Sequence, residues 1–308
     1  MSYNQNLDAN DFKISQMLGG AVNTGKVFYV SSVTGTASSN GLQARTPVST
    51  IDAAVGYCTA DKGDTIVVMS GHVETVSAAN GLDFDVSGIR VIFLGHGASR
   101  GKVNITATAG TIRVNANNVH IEGMLVTGGI DAIVKCIDVN GKTDVTFKDL
   151  RYRDVTGQCT LFFTAANNSD RLTIDGVKYV GDSAAGTTAA FTFDGCDDLF
   201  LTNFDIVGNF GTAAINFVTT ASARVRINGG ANRSFVWNQN SADVCILDTI
   251  TGSTGNINGD LYLRLTDNAA NITEAITGAT FSVFDNVWVC NNVNEKAMLI
   301  NWTASTDA

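Results

Sequence analysis

Proline is nearly absent from this chain, Pro47 being the only one, and Lys, Arg, Asp and Glu together make up only 16% of it. That charged share is low for a soluble domain. No stretch approaches 18 uninterrupted apolar residues, and the first 20 residues lack the basic start and apolar core of a signal peptide. The expectation is a soluble protein made in a cytoplasm, with no membrane partner. Three histidines leave no arguable Ser/His/Asp set. The six cysteines, Cys58, Cys136, Cys159, Cys196, Cys245 and Cys290, stand singly without a C-x-x-C pair, so neither a zinc site nor a redox motif is indicated. They read as buried, reduced small hydrophobes, and no cofactor, metal or catalytic residue is assigned. A net charge of −9 argues against nucleic acid, whose phosphates are bound by clustered Lys and Arg.

What is plentiful is glycine, 31 residues, within 308 residues that are 44% hydrophobic. That is ample for a sizeable core and suits an all-β structure. One phrase recurs: "NNVHIEGMLV", "DRLTIDGVKYV" and "DDLFLTNFDIV" each open on a polar pair and then alternate apolar residues. Its apolar pairs are Val119/Ile121, Val145/Phe147, Leu172/Ile174, Leu199/Leu201 and Val225/Ile227, and the second members recur after 26, 27, 27 and 26 residues. Ile89/Val91 stand ahead of the series, and Leu261/Leu263 and Val287/Val289 read as its resumption after an irregular interval. A second alternation precedes each copy, as in Ile112/Val114, Ile137/Val139, Phe191/Phe193 and Ile215/Phe217.

A fixed period of this length means a solenoid, propeller or array. The unit is too short for a four-stranded propeller blade and lacks leucine-rich spacing. One coil of a parallel β-helix fits: two or three short strands per turn, stacked at about 4.8 Å. Nine or ten such coils are expected. The position after each inward pair, Gly123, Asp149, Gly176, Asn203 and Gly229, reads as a bend. The outward columns are His120, Thr146, Thr173, Phe200, Arg226 and Glu122, Lys148, Asp175, Thr202, Asn228. Open solenoid ends need caps. "TPVSTIDAAVGYC" predicts a helix with Ser49 as N-cap and Ile51, Ala54, Val55 and Cys58 on one face. "AMLINWTAST" with Trp302 predicts a closing strand. The organisation is an N-terminal arm over 1–24, a strand and capping helix over 25–62, and a parallel β-helix with its C-terminal cap over 63–308.

Phe28 to Val30, Asn40 to Leu42, Thr46, Pro47, Thr50, Ile51, Ala54, Gly63 to Ile66, Val68 and Gly71 form an ordered set. Together they resemble the opening of right-handed parallel β-helix proteins of the pectate-lyase-like superfamily. The likeness is strong over the first third and continues only as the repeat. It implies an all-β, right-handed, single-stranded parallel β-helix with a short N-terminal capping helix. The acidic, low-proline chain resembles most the phage virion members. That implies a homotrimer bound to other virion proteins, serving as a tailspike or as capsid decoration. With short ends and little room for a head or trimerising tail, decoration of the capsid is the reading preferred.

Superfamily enzymes cleave polysaccharides on the outer face of the helix. "GHG" at Gly95, His96 and Gly97 matches a polygalacturonase triplet, and Asp197 and Asp198 resemble its acidic pair, but their order is reversed and R-I-K is missing, with "RVRI" from Arg224 a poor substitute. A glycine turn is the simpler reading. Glu122 and Asp175, two coils apart at about 9.6 Å by strand spacing, fall near the separation of an inverting glycosidase pair. Lys148 between them favours a surface charge ladder instead. Asp149, Arg151, Arg153 and Asp154 read as a solvated face or subunit contact, and outward Phe200 as a subunit contact more than a sugar platform. The alternatives to virion decoration are a polysaccharide-cleaving tailspike and a non-catalytic virion protein that binds a cell-surface polysaccharide.

Overall fold

A computed structural model of the chain describes residues 25–154, 159–181, 186–230, 233–240, 244–266, 275–277, 281–283, 286–290 and 298–300. The expected arm over 1–24 and Trp302 lie outside the described residues. The described residues wind into a single-stranded parallel β-helix of about seven turns, with one α-helix among them. Each regular coil contributes to three walls. The first wall holds Thr65–Val68, Arg90–Phe93, His120–Glu122 and the leading halves of Thr146–Arg153, Thr173–Val180 and Phe200–Gly208. The trailing halves of those long strands lie on the second wall, with Val73–Val76, Lys102–Ile105, Leu125–Gly128, Ser234–Asn238, Leu261–Arg264 and Val287–Cys290. An eight-stranded sheet, from Leu82–Phe84 to Ile276–Thr277, forms the third.

The repeat dictates this stacking because equal spacing returns like residues to like positions. Ile121, Phe147, Ile174, Leu201 and Ile227 follow one another in register down the first wall. Ile112, Ile137, Phe163, Phe191 and Ile215 do the same down the third. All are buried. Buried aromatic rings of the second and third walls touch in a continuous series, from the stacked pair Tyr152–Tyr179 at 5.1 Å through Phe162, Phe191 and Phe193 to Phe217.

Two sequence expectations need correction. One first-wall ladder runs through ten strands, from Val27–Val30 to Ser282–Val283. Among the described residues the third wall has eight, and complete turns number about seven rather than nine or ten. Leu261/Leu263 and Val287/Val289 do not resume the first-wall column either. Ile227 stacks on Ile257 and then Val283, whereas Leu263 and Val289 continue Ile206 and Val236 on the second wall. The coil from Ile227 to Ile257 spans 30 residues against 26 or 27 in the four before it. Gly255 takes the place of the first apolar residue of the pair, so the alternation that stands out next, Leu261/Leu263, is the second-wall pair of the same coil.

The front is closed by the helix Ile51–Tyr57, which buries Ile51, Ala54 and Val55. Its N-cap is Thr50, whose hydroxyl accepts from the Ala53 amide, not Ser49. A distant carboxylate adds a second cap: Glu74 Oε2 accepts from the Ile51 amide at 2.8 Å and lies 2.9 Å from His72 Nε2. His72 Nδ1 in turn accepts from the Ser32 amide at 2.9 Å. This buried network ties the strand, helix and first coil together. At the back, Met298–Ile300 adds antiparallel to Val287–Cys290, the closing strand expected from the sequence.

Candidate functional site

The candidate sites lie on outer surfaces, which the corners of the solenoid aim. The bend after the first wall is a column of left-handed residues, Gly123, Asp149, Gly176 and Asn203, with φ of 77°, 50°, 79° and 54°. These are the residue types that tolerate such geometry. At Gly123 an added Cβ would lie 2.7 Å from the Phe93 carbonyl oxygen. The next left-handed residue is Gly230 rather than Gly229, where the longer coil begins. Asp149 accepts from Arg100 Nη2 at 2.7 Å and from Arg151 Nε at 3.0 Å. Asp154 is buried while Arg151 and Arg153 are exposed, so "KDLRYRD" does not form one surface cluster.

A second left-handed corner precedes the first wall, through Asn118, Asp144, Arg171, Asp198 and Arg224. Charge alternates down it. Arg171 forks onto Asp144 at 2.7 and 2.8 Å, and Arg224 forks onto Asp198 at the same two distances. These bonds hold the Asp144 and Asp198 carboxyls below their ordinary range and raise both guanidiniums. Asp197 Oδ1 accepts from the Ala223 amide at 2.8 Å, and the Asp197 amide donates to Asp170 Oδ1 at 3.0 Å. Asp197 and Asp198 therefore build the corner. His96 is exposed in a turn between left-handed Gly95 and Gly97, so the polygalacturonase-like parts are not brought together.

The same corner ahead of the first wall also holds, two residues before each of Arg171, Asp198 and Arg224, a buried column of Ser169, Cys196 and Ser222 that continues to Ser253. Ser222 Oγ accepts from the Cys196 amide at 3.0 Å and Ser253 Oγ from the Ser222 amide at 3.3 Å. Burial pushes the Cys196 thiol up to about 12. Cys136, Cys159 and Cys245 are also buried, and Cys58 and Cys290 half-buried; all six are free thiols.

On the first wall, Glu122, Lys148 and Asp175 occupy one outward column in adjacent coils, as the repeat predicts. The chief partner of Glu122 is Arg90 at 2.9 Å, with Lys148 at 4.0 Å and His120 at 3.6 Å. Burial alone would raise its carboxyl, but the Arg90 bond and Lys148 outweigh it and hold the group below its ordinary value. Burial, then Arg90, holds His120 low as well. Asp175 accepts from Asn203 Nδ2 at 2.6 Å. Phe200 stands outward between Thr173 and Arg226, half-buried.

The third wall carries an open groove of about 390 Å³ lined by Asn80, Thr111, Arg113, Lys135, Asp138 and Asn140 among others. Asp138 accepts from Lys135 Nζ at 2.7 Å and Thr164 Oγ1 at 2.9 Å. Asp83, in the same outward column across Arg113, is raised by burial first and Asp85 second among the raising influences.

The second wall holds what the sequence reading missed. One outward column runs Lys102, Leu125, Arg151, Lys178, Asp205, Phe235, Tyr262, Trp288, and the next runs Asn104, Thr127, Arg153, Val180, Val207, Trp237, Arg264, Cys290. The wall passes from cations to aromatics. Tyr262 and Trp288 stack with centroids 6.0 Å apart and planes 7° off parallel. Arg264 lies 4.3 Å from the Trp237 ring centroid, and Trp237 Nε1 donates to Thr266 Oγ1 at 3.1 Å. The spacings of Phe235, Tyr262 and Trp288, 27 and 26 residues, were a signal available in the sequence.

Among the described residues no group of three or more His, Cys, Asp or Glu is placed to hold a metal ion, and no helix is long and apolar enough to cross a membrane. These walls and corners define a parallel β-solenoid of the single-stranded kind. Comparison with family models, curated proteins and solved structures finds no match to this chain.

Proposed function

We propose that the chain is a bacteriophage virion structural protein of the pectate-lyase-like fold, a homotrimer that decorates the capsid and joins the particle after assembly in the host cytoplasm. One observation carries this reading: the outer walls present an aromatic stripe, while the acids suggested by the sequence are occupied. Asp197 and Asp198 hold a corner, Glu122 is paired with Arg90, and Asp175 accepts from Asn203. An outward face with half-buried aromatics suits assembly. The test is light-scattering mass together with a reducing-end assay on bacterial surface polysaccharides. A trimer that releases no ends and co-sediments with capsids supports the proposal. New ends lost on replacing Asp175 or Glu122 would overturn it in favour of a depolymerase.

A second reading has its own observation. The third-wall groove brings cationic Arg113 and Lys135 together with Asp138, Asn80 and Asn140, polar groups suited to hydroxyls and carboxylates. It favours a virion protein that binds a cell-surface polysaccharide without cleaving it. Saccharide retention lost in Arg113→Ala would distinguish this from pure decoration.

A further inference from the structure

We infer that the front cap is an acid-released latch: protonation of the buried His72 and Glu74 pair frees the opening strand and the helix from the first coil while the rest of the solenoid stays wound. Glu74 breaks the pattern of its column. It stands inward on the second wall, where the coils that follow place Val103, Val126, Tyr152, Tyr179 and Ile206. The first coil thus puts a carboxylate where five later coils put core side chains, and both it and His72 are buried.

Four main-chain amides of the cap depend on side chains of this coil. Glu74 Oε2 accepts from Ile51, the first residue of the helix, and His72 Nδ1 accepts from Ser32, just past the opening strand. Asp64, also buried, accepts from the Lys26 amide at 2.6 Å and the Thr59 amide at 2.7 Å, at the two ends of the same segment. The helix itself adds only Ile51, Ala54 and Val55 to the core. Asp64 therefore acts as the hinge, and the His72 and Glu74 pair as the catch.

The geometry fixes the proton. An amide N–H can only donate, so His72 Nδ1 is an acceptor and the ring proton sits on Nε2, facing Glu74. A second proton on Nδ1 would point at the Ser32 donor and break that bond. A proton on Glu74 removes the charge that strengthens its bonds to Ile51 and His72. Opening gives the ring to water, where histidine takes up its second proton below about pH 6.5. The closed cap has no place for that proton and the open one does, so acid favours opening.

No neighbouring charge offsets this. Lys26 before the strand, Asp52 in the helix and Lys102, whose amide donates to the His72 carbonyl, make no ion pair with either group. Arg100, in the turn before Lys102, is taken by Asp149. Among the described residues, His72 and Glu74 have only each other as ion-pair partners.

The test is hydrogen exchange of the full chain by mass spectrometry at about pH 7.5 and about pH 5.5, on either side of the ordinary histidine range. Val27–Val30 and Ile51–Tyr57 are read against Thr173–Val180 in the same sample, which cancels the intrinsic dependence of exchange on pH. The cap should open about tenfold more at the lower value, the factor that one pH unit below the ordinary histidine value gives. His72→Gln keeps an acceptor for Ser32 and a donor for Glu74 but does not titrate, and should abolish the rise. An unchanged ratio in the wild type overturns the latch, as does a rise that survives His72→Gln or a loss of Thr173–Val180 protection at the same pH. If the variant misfolds, ring-nitrogen NMR of the wild type reads the same point, the chain having three histidines. His72 should gain its second proton in step with opening of the cap, and opening with His72 still singly protonated overturns the proposal.

Discussion

The corner ahead of the first wall and the stripe on the second wall are both columns built by the same repeat, yet they end in opposite states. At the corner, Asp144, Arg171, Asp198 and Arg224 alternate in sign, so each coil supplies the partner of the next. On the stripe, Phe235, Tyr262 and Trp288 are alike, with Tyr262 and Trp288 stacked on each other and all three half-buried. A solenoid column closes within the chain when successive residues are complementary and stays available to a second surface when they are alike and apolar.

The strongest break of this comparison reaches the core on which both columns rest. Phe191→Ala removes a fully buried ring touching Phe162, Phe163 and Phe193, and should cost about 3–5 kcal/mol in denaturant unfolding. Next comes the bend between the first two walls. Gly123→Val forces a side chain onto left-handed backbone against the Phe93 carbonyl, and a loss of about 1–3 kcal/mol is expected, read as a lower thermal midpoint.

Acid sharpens the contrast further. Glu122 titrates lower in the fold than in the unfolded chain, so its contribution is complete above about 4.3 and lost as pH falls through the folded value. His120 is likewise held low, so its contribution is complete above about 6.5 and lost on acidification. Unfolding measured from pH 7 to 3 should show stability falling in both windows, and Glu122→Gln should flatten the lower one. The smallest effect belongs to the corner itself. Asp198→Asn loses an exposed ion pair with Arg224, giving a slight drop in midpoint that disappears in high salt, with no change in oligomer mass.

Legibility followed the regularity of the coils. Over Val119 to Ile227 the inward pairs, the outward columns and the Gly/Asp/Asn bend were readable because a constant period keeps each position on its wall. Beyond Ile227 the first-wall pair becomes Gly255 and Ile257, which no longer alternates apolar residues, while Leu261 and Val287 on the second wall do, and alternation alone does not distinguish one wall from another. The stripe was overlooked for a related reason: attention to inward pairs passes over residues whose neighbours are buried. The helix start also misled, because Ser49 and Thr50 are both capable caps and only the chain path beside Glu74 selects Thr50.

By itself the sequence determined the repeat, the all-β solenoid, the inward columns and the Gly/Asp/Asn bend after the first wall. These follow from local alternation and from which residues tolerate positive φ. Only the tertiary structure decided which carboxylates are occupied, where the phase slips, and that an aromatic row faces outward beyond a cationic one. Those properties depend on neighbours about one coil away along the chain, brought within about 4.8 Å by stacking, and no local pattern encodes that distance.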